Sequence, residues 1–139
     1  MRFATRFPIA VHVLTILGME FAPDPTSEYM AESIGVNPVM VRTVTGMLRR
    51  AGLVSSSQGK AGTHLAKRPD AITLLEVLRA VETEEELFTM HDNPNPDCPV
   101  GGNIESVLDG VFSDAQRAME ERLDSTTMAD IIEHIRSRN

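Results

Sequence analysis

The stretch "NPVMVRTVTGMLRRAGLV", residues 37–54, predicts a helix with two unlike faces. Asn37 suits a helix N-cap, Pro38 suits the first turn, where no backbone donor is needed, and Gly52 suits the end. At about 100° per residue, one set of side chains faces a core and another faces solvent. The expected inner set is Met40, Val41, Val44, Met47, Leu48 and Ala51, and the expected outer set is Val39, Arg42, Thr43, Thr45, Gly46, Arg49 and Arg50.

The residues on either side of this helix predict a winged helix-turn-helix. Thr26 is a suitable cap for a short helix over residues 27–34, and Gly35 allows the positive φ of a tight turn. After Gly52, two short extended stretches flank a glycine-containing turn, which predicts a hairpin. The side chains expected at or near the tip of this wing are Gln58, Lys60 and His64.

Charge is divided unevenly along the chain and favours DNA as the partner of the outer face. Residues 1–70 carry eight basic and five acidic side chains, whereas residues 71–139 carry five and fifteen. No acid occurs between Ser33 and Pro69. Arginine binds phosphates or guanine edges, and threonine contacts phosphates or a thymine methyl group. Gly46 costs helix stability, about 1 kcal/mol relative to alanine, which fits a close approach to a DNA backbone.

The second half of the chain predicts further helices. Thr73 is a suitable cap for a helix that follows, short helices are expected at 99–103 and 128–137, and the longest helical pattern lies between them. Its apolar positions recur at i, i+3, i+4 and i+7, and they form a continuous stripe. The stripe consists of Ile104, Val107, Leu108, Val111, Phe112, Ala115, Met119 and Leu123.

Three segments resemble the Rrf2 family of bacterial winged-helix regulators, which includes IscR, NsrR and CymR, and within it the YwnA branch. The segments are "MAESIGVNPVMVRTVTGMLRRAGLVSS", "GKAGTHLAKRPDAITLLEVLRAVE" and "HDNPNPDCPVGG". The resemblance implies a homodimer, joined through the long helix, that binds a palindromic operator. The residues expected in the dimer interface are Ile104, Val107, Leu108, Val111, Phe112, Ala115 and Met119.

The chain departs from the family pattern in two places. The family's wing commonly reads Arg-Gly-x-x-Gly-Gly-Tyr, whereas residues 58–64 read "QGKAGTH", so the arginine and the tyrosine are missing. The iron–sulfur members carry three cysteines before the long helix, whereas this chain has only Cys98. We therefore expect no cofactor and, in particular, no cluster of that type.

Cys98 lies in a proline-rich loop, residues 91–103, and three roles stay open for it. A following helix N-terminus would lower the pKa of its thiol and suit a redox sensor, although the adjacent Asp97 opposes this. Cys98 could instead bind a metal together with His91, or it could be a structural cysteine packed beneath the loop. The effector, whether small molecule or oxidant, is unknown.

The expected protein is a mostly α winged helix-turn-helix with a two-stranded β-hairpin wing and a long C-terminal dimerisation helix. Residues 1–70 form the DNA-binding domain, and residues 71–139 form a dimerisation and sensor region. No catalytic motif and no apolar run long enough to span a bilayer occur, so we expect a cytoplasmic repressor and not an enzyme or a membrane protein. The alternative is a protein-interaction module that uses the same basic face without binding DNA specifically.

Overall fold

The computed structural model describes residues 6–20, 22, 24–56, 62–82 and 90–139, which are mostly helical. α1 spans Arg6–Met19, α2 spans Ser27–Ile34 and α3 spans Pro38–Arg50; the strands that follow are β1, Val54–Ser55, and β2, His64–Leu65. After a 3₁₀ turn at Pro69–Ala71, α4 spans Leu74–Val81, α5 spans Ile104–Asp124 and α6 spans Met128–Arg136. The predicted winged helix-turn-helix with a long C-terminal helix is confirmed.

The connection between α2 and α3 has the backbone that its sequence predicts. Thr26 accepts a backbone hydrogen bond through its side chain and begins α2. Gly35 has φ 82°, in the left-handed region that glycine enters without a steric penalty. The Asn37 side chain then caps α3, and Pro38 occupies the first turn. These local signals end one helix and begin the next within three residues, which fixes how α3 crosses α2.

The wing is a short antiparallel hairpin directly after α3. Val54 pairs with Leu65 and Ser55 pairs with His64. One further bond, from the Ala66 N–H to the Leu53 carbonyl at 3.0 Å, ties the base of the hairpin together. Both predicted extended stretches therefore occur where they were expected.

One aliphatic core joins α1, α3, α4 and α6. Its largest fully buried members include Leu14, Leu48, Val77 and Met128. Because Val77 and Met128 belong to the same core as α1 and α3, packing continues across residue 70. The division into a DNA-binding domain, residues 1–70, and a dimerisation and sensor region, residues 71–139, stays a prediction.

The starts of α4 and α6 are anchored to each other. Thr73, the predicted cap of α4, and Thr127 both form capping boxes, in which each threonine and the acid three residues later bond each other's backbone N–H. An isolated antiparallel bridge pairs Thr73 with Thr127. This bridge fixes the turn that follows α5 to the core of the molecule.

α5 differs from the other long helices because none of its residues is buried. It extends from this anchored turn as a helix of 21 residues. The predicted apolar stripe therefore lies on a helix that the rest of its own chain leaves largely uncovered.

The short helix predicted at residues 99–103 is wrong, because residues 96–103 form consecutive turns around a bend. A Cβ atom on Gly101 would collide with the carbonyl oxygen of Asn95, and one on Gly102 would lie 2.8 Å from the Pro96 carbonyl oxygen. The two glycines thus let the loop fold back closely on itself, and they also disfavour a helix.

Candidate nucleic-acid interface

α3 separates its buried and exposed side chains onto opposite faces. Val41, Val44 and Leu48 have no exposed surface and pack into the core. On the other side the exposed residues are Val39, Arg42, Thr43, Arg49 and Arg50. The helix therefore packs with one face and leaves a face that carries three arginines free for a partner.

Three residues were assigned to the wrong face of α3. Thr45 is only 6% exposed, and its hydroxyl oxygen has no hydrogen-bond partner among the described residues. It follows Val41 by four residues, which places it one helical turn along the buried stripe, so the expectation that it lies on the outer face is wrong. Met40 is 37% exposed, although it was expected inside. Ala51, also expected inside, is exposed at the C-cap of the helix.

The outermost line of α3 consists of Val39, Thr43, Gly46 and Arg50, which we call the α3 ridge. These residues follow one another at i, i+4, i+7 and i+11, and they lie opposite the buried stripe. Arg42 and Arg49 lie on one flank of the ridge, and Met40 and Met47 lie on the other. The part of α3 that would meet a flat or grooved partner first is therefore apolar and small at its start and cationic at its end.

The two flanking arginines are held by neighbouring elements. The Arg42 guanidinium lies 3.3 Å from the carboxylate of Glu28 on α2, and Arg49 donates to the Ser56 hydroxyl at 2.9 Å. Within α3 no acid occurs, as expected, but α2 supplies one across the turn. Sequence reasoning missed Glu28, although the predicted helix-turn-helix already placed α2 beside α3. An exposed pair of this kind contributes about 0–1 kcal/mol, so a phosphate can displace Glu28 at little cost.

Among the residues that the structure describes, nothing requires glycine at position 46. A Cβ atom at this position would meet only the Arg50 guanidinium, at the ordinary contact distance of 3.6 Å. Alanine would therefore fit and would favour the helix by about 1 kcal/mol. A glycine kept in the middle of an exposed ridge fits a surface that another molecule approaches closely.

Of the three predicted wing contacts, the structure describes only His64. Gln58 and Lys60 lie outside the described residues. His64 is half-buried; its Nε2 atom has no exposed surface and no hydrogen-bond partner among the described residues. This nitrogen is turned away from solvent, and the expectation that His64 contacts DNA stays a prediction.

Other basic side chains around the basic face are paired with acids. Arg6 lies 3.7 Å from Glu82, and Lys67 and Arg68 each lie 2.8 Å from a carboxylate, of Glu76 and Asp70 respectively. Arg50 makes no hydrogen bond or ion pair with a described residue. Of the three arginines on the exposed face of α3, Arg50 therefore has the fewest contacts with described residues to give up when it binds an anion.

The apolar stripe of α5 is the second candidate interface. Val107 and Val111 are 60% and 57% exposed, and Ala115 is also exposed. The other stripe residues are half-buried: Ile104, Leu108, Phe112, Met119 and Leu123. A stripe of this length on a helix without a buried residue indicates a surface that another molecule covers.

An apolar groove between α1 and α6, which sequence reasoning missed, continues this surface. It has a volume of about 640 Å³ and includes Phe7, Val11 and Ile135 in its lining. Leu123, the last stripe residue of α5, also lines it. At its edge His12 and Ser33 form a hydrogen bond of 3.2 Å, and partial burial lowers the pKa of His12. The signal for this groove in the sequence was the number of apolar residues in α1 and α6.

Cys98 lies in the turns before α5 and is half-buried. Hydrogen bonds from the backbone N–H of Gly101, and secondly of Val100, lower the pKa of its thiol. The expected direction of the pKa shift is present, but its cause is a turn and not the N-terminus of a helix. Among the described residues, no group of three or more His, Cys, Asp or Glu is placed to hold a metal ion.

Comparisons with known proteins agree on one class. Residues 3–134 match the Rrf2 family model, which is described as an iron-dependent transcriptional regulator. YwnA of Bacillus subtilis (strain 168), named as an HTH-type transcriptional regulator, is 43% identical over 131 residues, which cover 94% of this chain and 97% of YwnA. A crystal structure described as a DNA-binding protein is 38% identical with a TM-score of 0.75, and the match covers 91% of this chain and 98% of that one. IscR of T. potens is 25% identical with a TM-score of 0.73, and the match covers 97% and 88% of the two chains.

The iron in the family description does not fit the residues present. A protein iron–sulfur cluster is held mainly by several cysteine thiolates, and this chain contains one cysteine. His91 and Cys98 are not part of any metal-binding group in the described part of the chain. Separately, no helix in the described ranges is long and apolar enough to cross a membrane.

Proposed function

We propose that this chain, which belongs to the Rrf2 family of transcriptional regulators, is a homodimeric repressor that binds a palindromic operator. Family membership makes it a DNA-binding transcriptional regulator and not an enzyme. The finer statements, which are the dimer, the palindrome, repression and the residues that contact DNA, are the proposal.

The observation that carries the proposal is the exposed face of α3. It stands outside the core, it carries three arginines, and the acid paired with it, Glu28, is held through an exposed and therefore weak ion pair. A helix of this kind enters the major groove, where arginine binds phosphates or guanine edges. The proposed contacts are Val39, Arg42, Thr43, Gly46, Arg49 and Arg50, with Gln58 and Lys60 of the wing on the flanking backbone.

The proposed dimer is supported by the apolar stripe of α5. A monomer would leave Val107 and Val111 in water, and pairing of two such helices would bury both stripes. The contact is self-complementary, as a two-fold interface requires, and it would place two α3 helices on one duplex. An operator with matching half-sites follows from that symmetry. Residues 71–139 would then supply the dimer contact, and residues 1–70 would supply the DNA contact.

Fluorescence anisotropy with a labelled duplex tests the DNA face directly. The probe is the sequence that the full chain enriches from a randomised double-stranded library, and binding is measured over a range of salt concentrations. Arg42→Ala combined with Arg49→Ala should weaken binding at least about tenfold and should lower the salt slope by about two per protomer. Arg117→Ala, on the exposed side of α5, removes a surface arginine elsewhere and should leave both quantities unchanged.

Two results would refute this assignment. If the double variant binds with an unchanged salt slope, α3 is not the DNA-binding helix. If the library yields no enriched sequence, and an acidic protein partner is retained instead, the chain is a protein-interaction module. Repression is tested separately, by transcription in vitro from a promoter that carries the enriched sequence: transcript should fall as the protein is added.

A further inference from the structure

The N-terminal half of the α3 ridge is apolar, which is unusual for a surface expected to meet DNA. Val39, in the first turn, is 59% exposed, and Thr43 follows it one turn later on the same line. The arginines lie to one side of this line or at its far end. The residues that would reach deepest into a groove at the start of α3 are therefore Val39 and Thr43.

Thr43 presents chiefly its methyl group to a partner. Its hydroxyl donates a hydrogen bond of 3.0 Å to the Val39 carbonyl, one turn earlier. A hydroxyl held by its own helix in this way no longer has its proton available for a base edge. Thr43 is exposed, so the groups left for an outside contact are the γ-methyl, which lies on the same line as the two methyl groups of Val39, and the hydroxyl oxygen as an acceptor.

In the major groove, apolar side chains recognise one feature of the bases. Thymine carries a C5-methyl group there, whereas the other edges offer hydrogen-bond donors and acceptors that valine cannot satisfy. A guanine or adenine edge against Val39 would lose water without gaining a hydrogen bond, which is unfavourable. A thymine methyl group against the same side chain would bury apolar surface on both partners.

We propose that Val39 and Thr43 read the C5-methyl groups of thymine in the operator, while Arg42, Arg49 and Arg50 bind phosphates or flanking guanines. The inference rests on the proposed DNA-binding function and deepens it by naming the base feature that α3 selects. Each operator half-site should therefore contain an A·T pair opposite the start of α3.

Replacing thymine with deoxyuridine tests this inference, because it removes the methyl group and keeps every base-pairing edge. The probe is the duplex enriched from the randomised library, resynthesised with one deoxyuridine pair at each thymine position in turn. At the position read by the ridge, we expect affinity to fall about fourfold per methyl group. Thymines elsewhere in the same duplex serve as controls and should show no change.

Two substitutions of Thr43 test whether its methyl group contacts the thymine methyl group. Thr43→Ser removes only the methyl group and keeps the hydroxyl, whereas Thr43→Val keeps the methyl group and replaces the hydroxyl with a second one. Thr43→Ser should weaken binding to the thymine duplex and lose its response to deoxyuridine, and Thr43→Val should retain that response. Val39→Ala should behave like Thr43→Ser. Both sites, Val39 and Thr43, are exposed, so folding is preserved.

The outcomes separate the inference from the function on which it rests. If no sequence is enriched, the DNA-binding function fails and the inference fails with it. If a sequence is enriched and bound but no deoxyuridine position lowers affinity, α3 binds DNA without reading thymine methyl groups, and this inference alone is overturned. An equal response to deoxyuridine in Thr43→Ser and in the unaltered protein would remove Thr43 from the reading surface.

Discussion

α3 and α5 are both amphipathic helices, but the rest of the chain buries the apolar side of α3 and leaves α5 without a buried residue. The buried stripe of α3, which contains Val41, Val44 and Leu48, is packed into the core, and the opposite face is exposed. α5 contains no buried residue, and its apolar stripe is among the surfaces left uncovered. The face that each helix leaves open therefore differs in chemistry, cationic and small on α3 and aliphatic on α5.

The difference indicates what each helix should bind. Exposing aliphatic surface to water is unfavourable, so we expect the α5 stripe to bind an apolar partner. A second copy of the same helix has such a surface. The exposed face of α3 is favourable in water and has no need of a partner for stability. Its arginines favour a polyanion as the partner. Gly46, which the described structure does not require, favours a partner that approaches closely.

The largest expected effect comes from charging the α5 stripe. Val107→Glu combined with Val111→Glu should raise the dissociation constant of the dimer at least about 100-fold, because unpaired charges would be buried in the interface. Light scattering at micromolar concentration should give a monomer, and operator affinity should fall with it. The helical circular dichroism should be unchanged, because both valines are exposed in the single chain.

The matched control is Ser113→Glu, which adds a charge to the side of α5 away from the stripe. Ser113 is exposed, and this variant should stay dimeric. If the doubly charged variant also stays dimeric, the stripe is not the interface and the contrast between the two helices loses its explanation.

The next largest effect should come from Gly46→Ala on the α3 ridge, with opposite consequences for folding and binding. The added methyl group should stabilise the fold by about 1 kcal/mol, because no described residue lies too close to it. The same methyl group should weaken operator binding roughly tenfold, if DNA packs closely against this position. Chemical denaturation and anisotropy measure the two quantities.

Gly110→Ala on α5 is the control for this substitution. Gly110 also has open space where a Cβ would stand, and it lies on the side of α5 opposite the stripe. This variant should gain similar stability and bind the operator normally. If Gly46→Ala binds as tightly as the unaltered protein, DNA does not approach the ridge at this position.

The helix boundaries were predictable because they depend on local chemistry. Thr26, Asn37 and Thr73 each cap the helix that follows, and a side chain that bonds a backbone N–H two or three residues ahead acts within one turn. The loop before α5 was not predictable in the same way. Its shape depends on how closely Gly101 approaches Asn95, which helical propensities do not describe.

The face assignments on α3 failed at the border between the two faces. Thr45 was expected outside, yet its spacing of four residues from Val41 puts it inside, and the hydroxyl is buried without a partner among the described residues. Glu28 could not be paired with Arg42 from spacing along one helix, because the contact crosses from α2 to α3. The ridge itself appears only once the buried face is known.

The smallest expected effect concerns Cys98, in the loop that leads into α5. Its thiol pKa is lowered by backbone N–H groups, so at a pH below the pKa of an ordinary cysteine the folded chain should contain more thiolate than the unfolded chain. Alkylation by iodoacetamide should therefore reach its half-maximal rate at a lower pH in the folded chain. Above the pKa of the unfolded chain, this difference in thiolate should disappear. Identical pH profiles in buffer and in denaturant would contradict the turn geometry.

A lowered pKa of the Cys98 thiol alone would not show that the loop affects DNA binding by α3 or dimerisation through α5. If Cys98 is a redox sensor, peroxide must change operator affinity in the unaltered protein and must fail to do so in Cys98→Ser. The dimer constant should be measured in the same samples, because the loop leads directly into α5 and only indirectly towards α3. A peroxide response that persists in Cys98→Ser would leave Cys98 as a structural residue, and α3 and α5 would then act without a redox link through this loop.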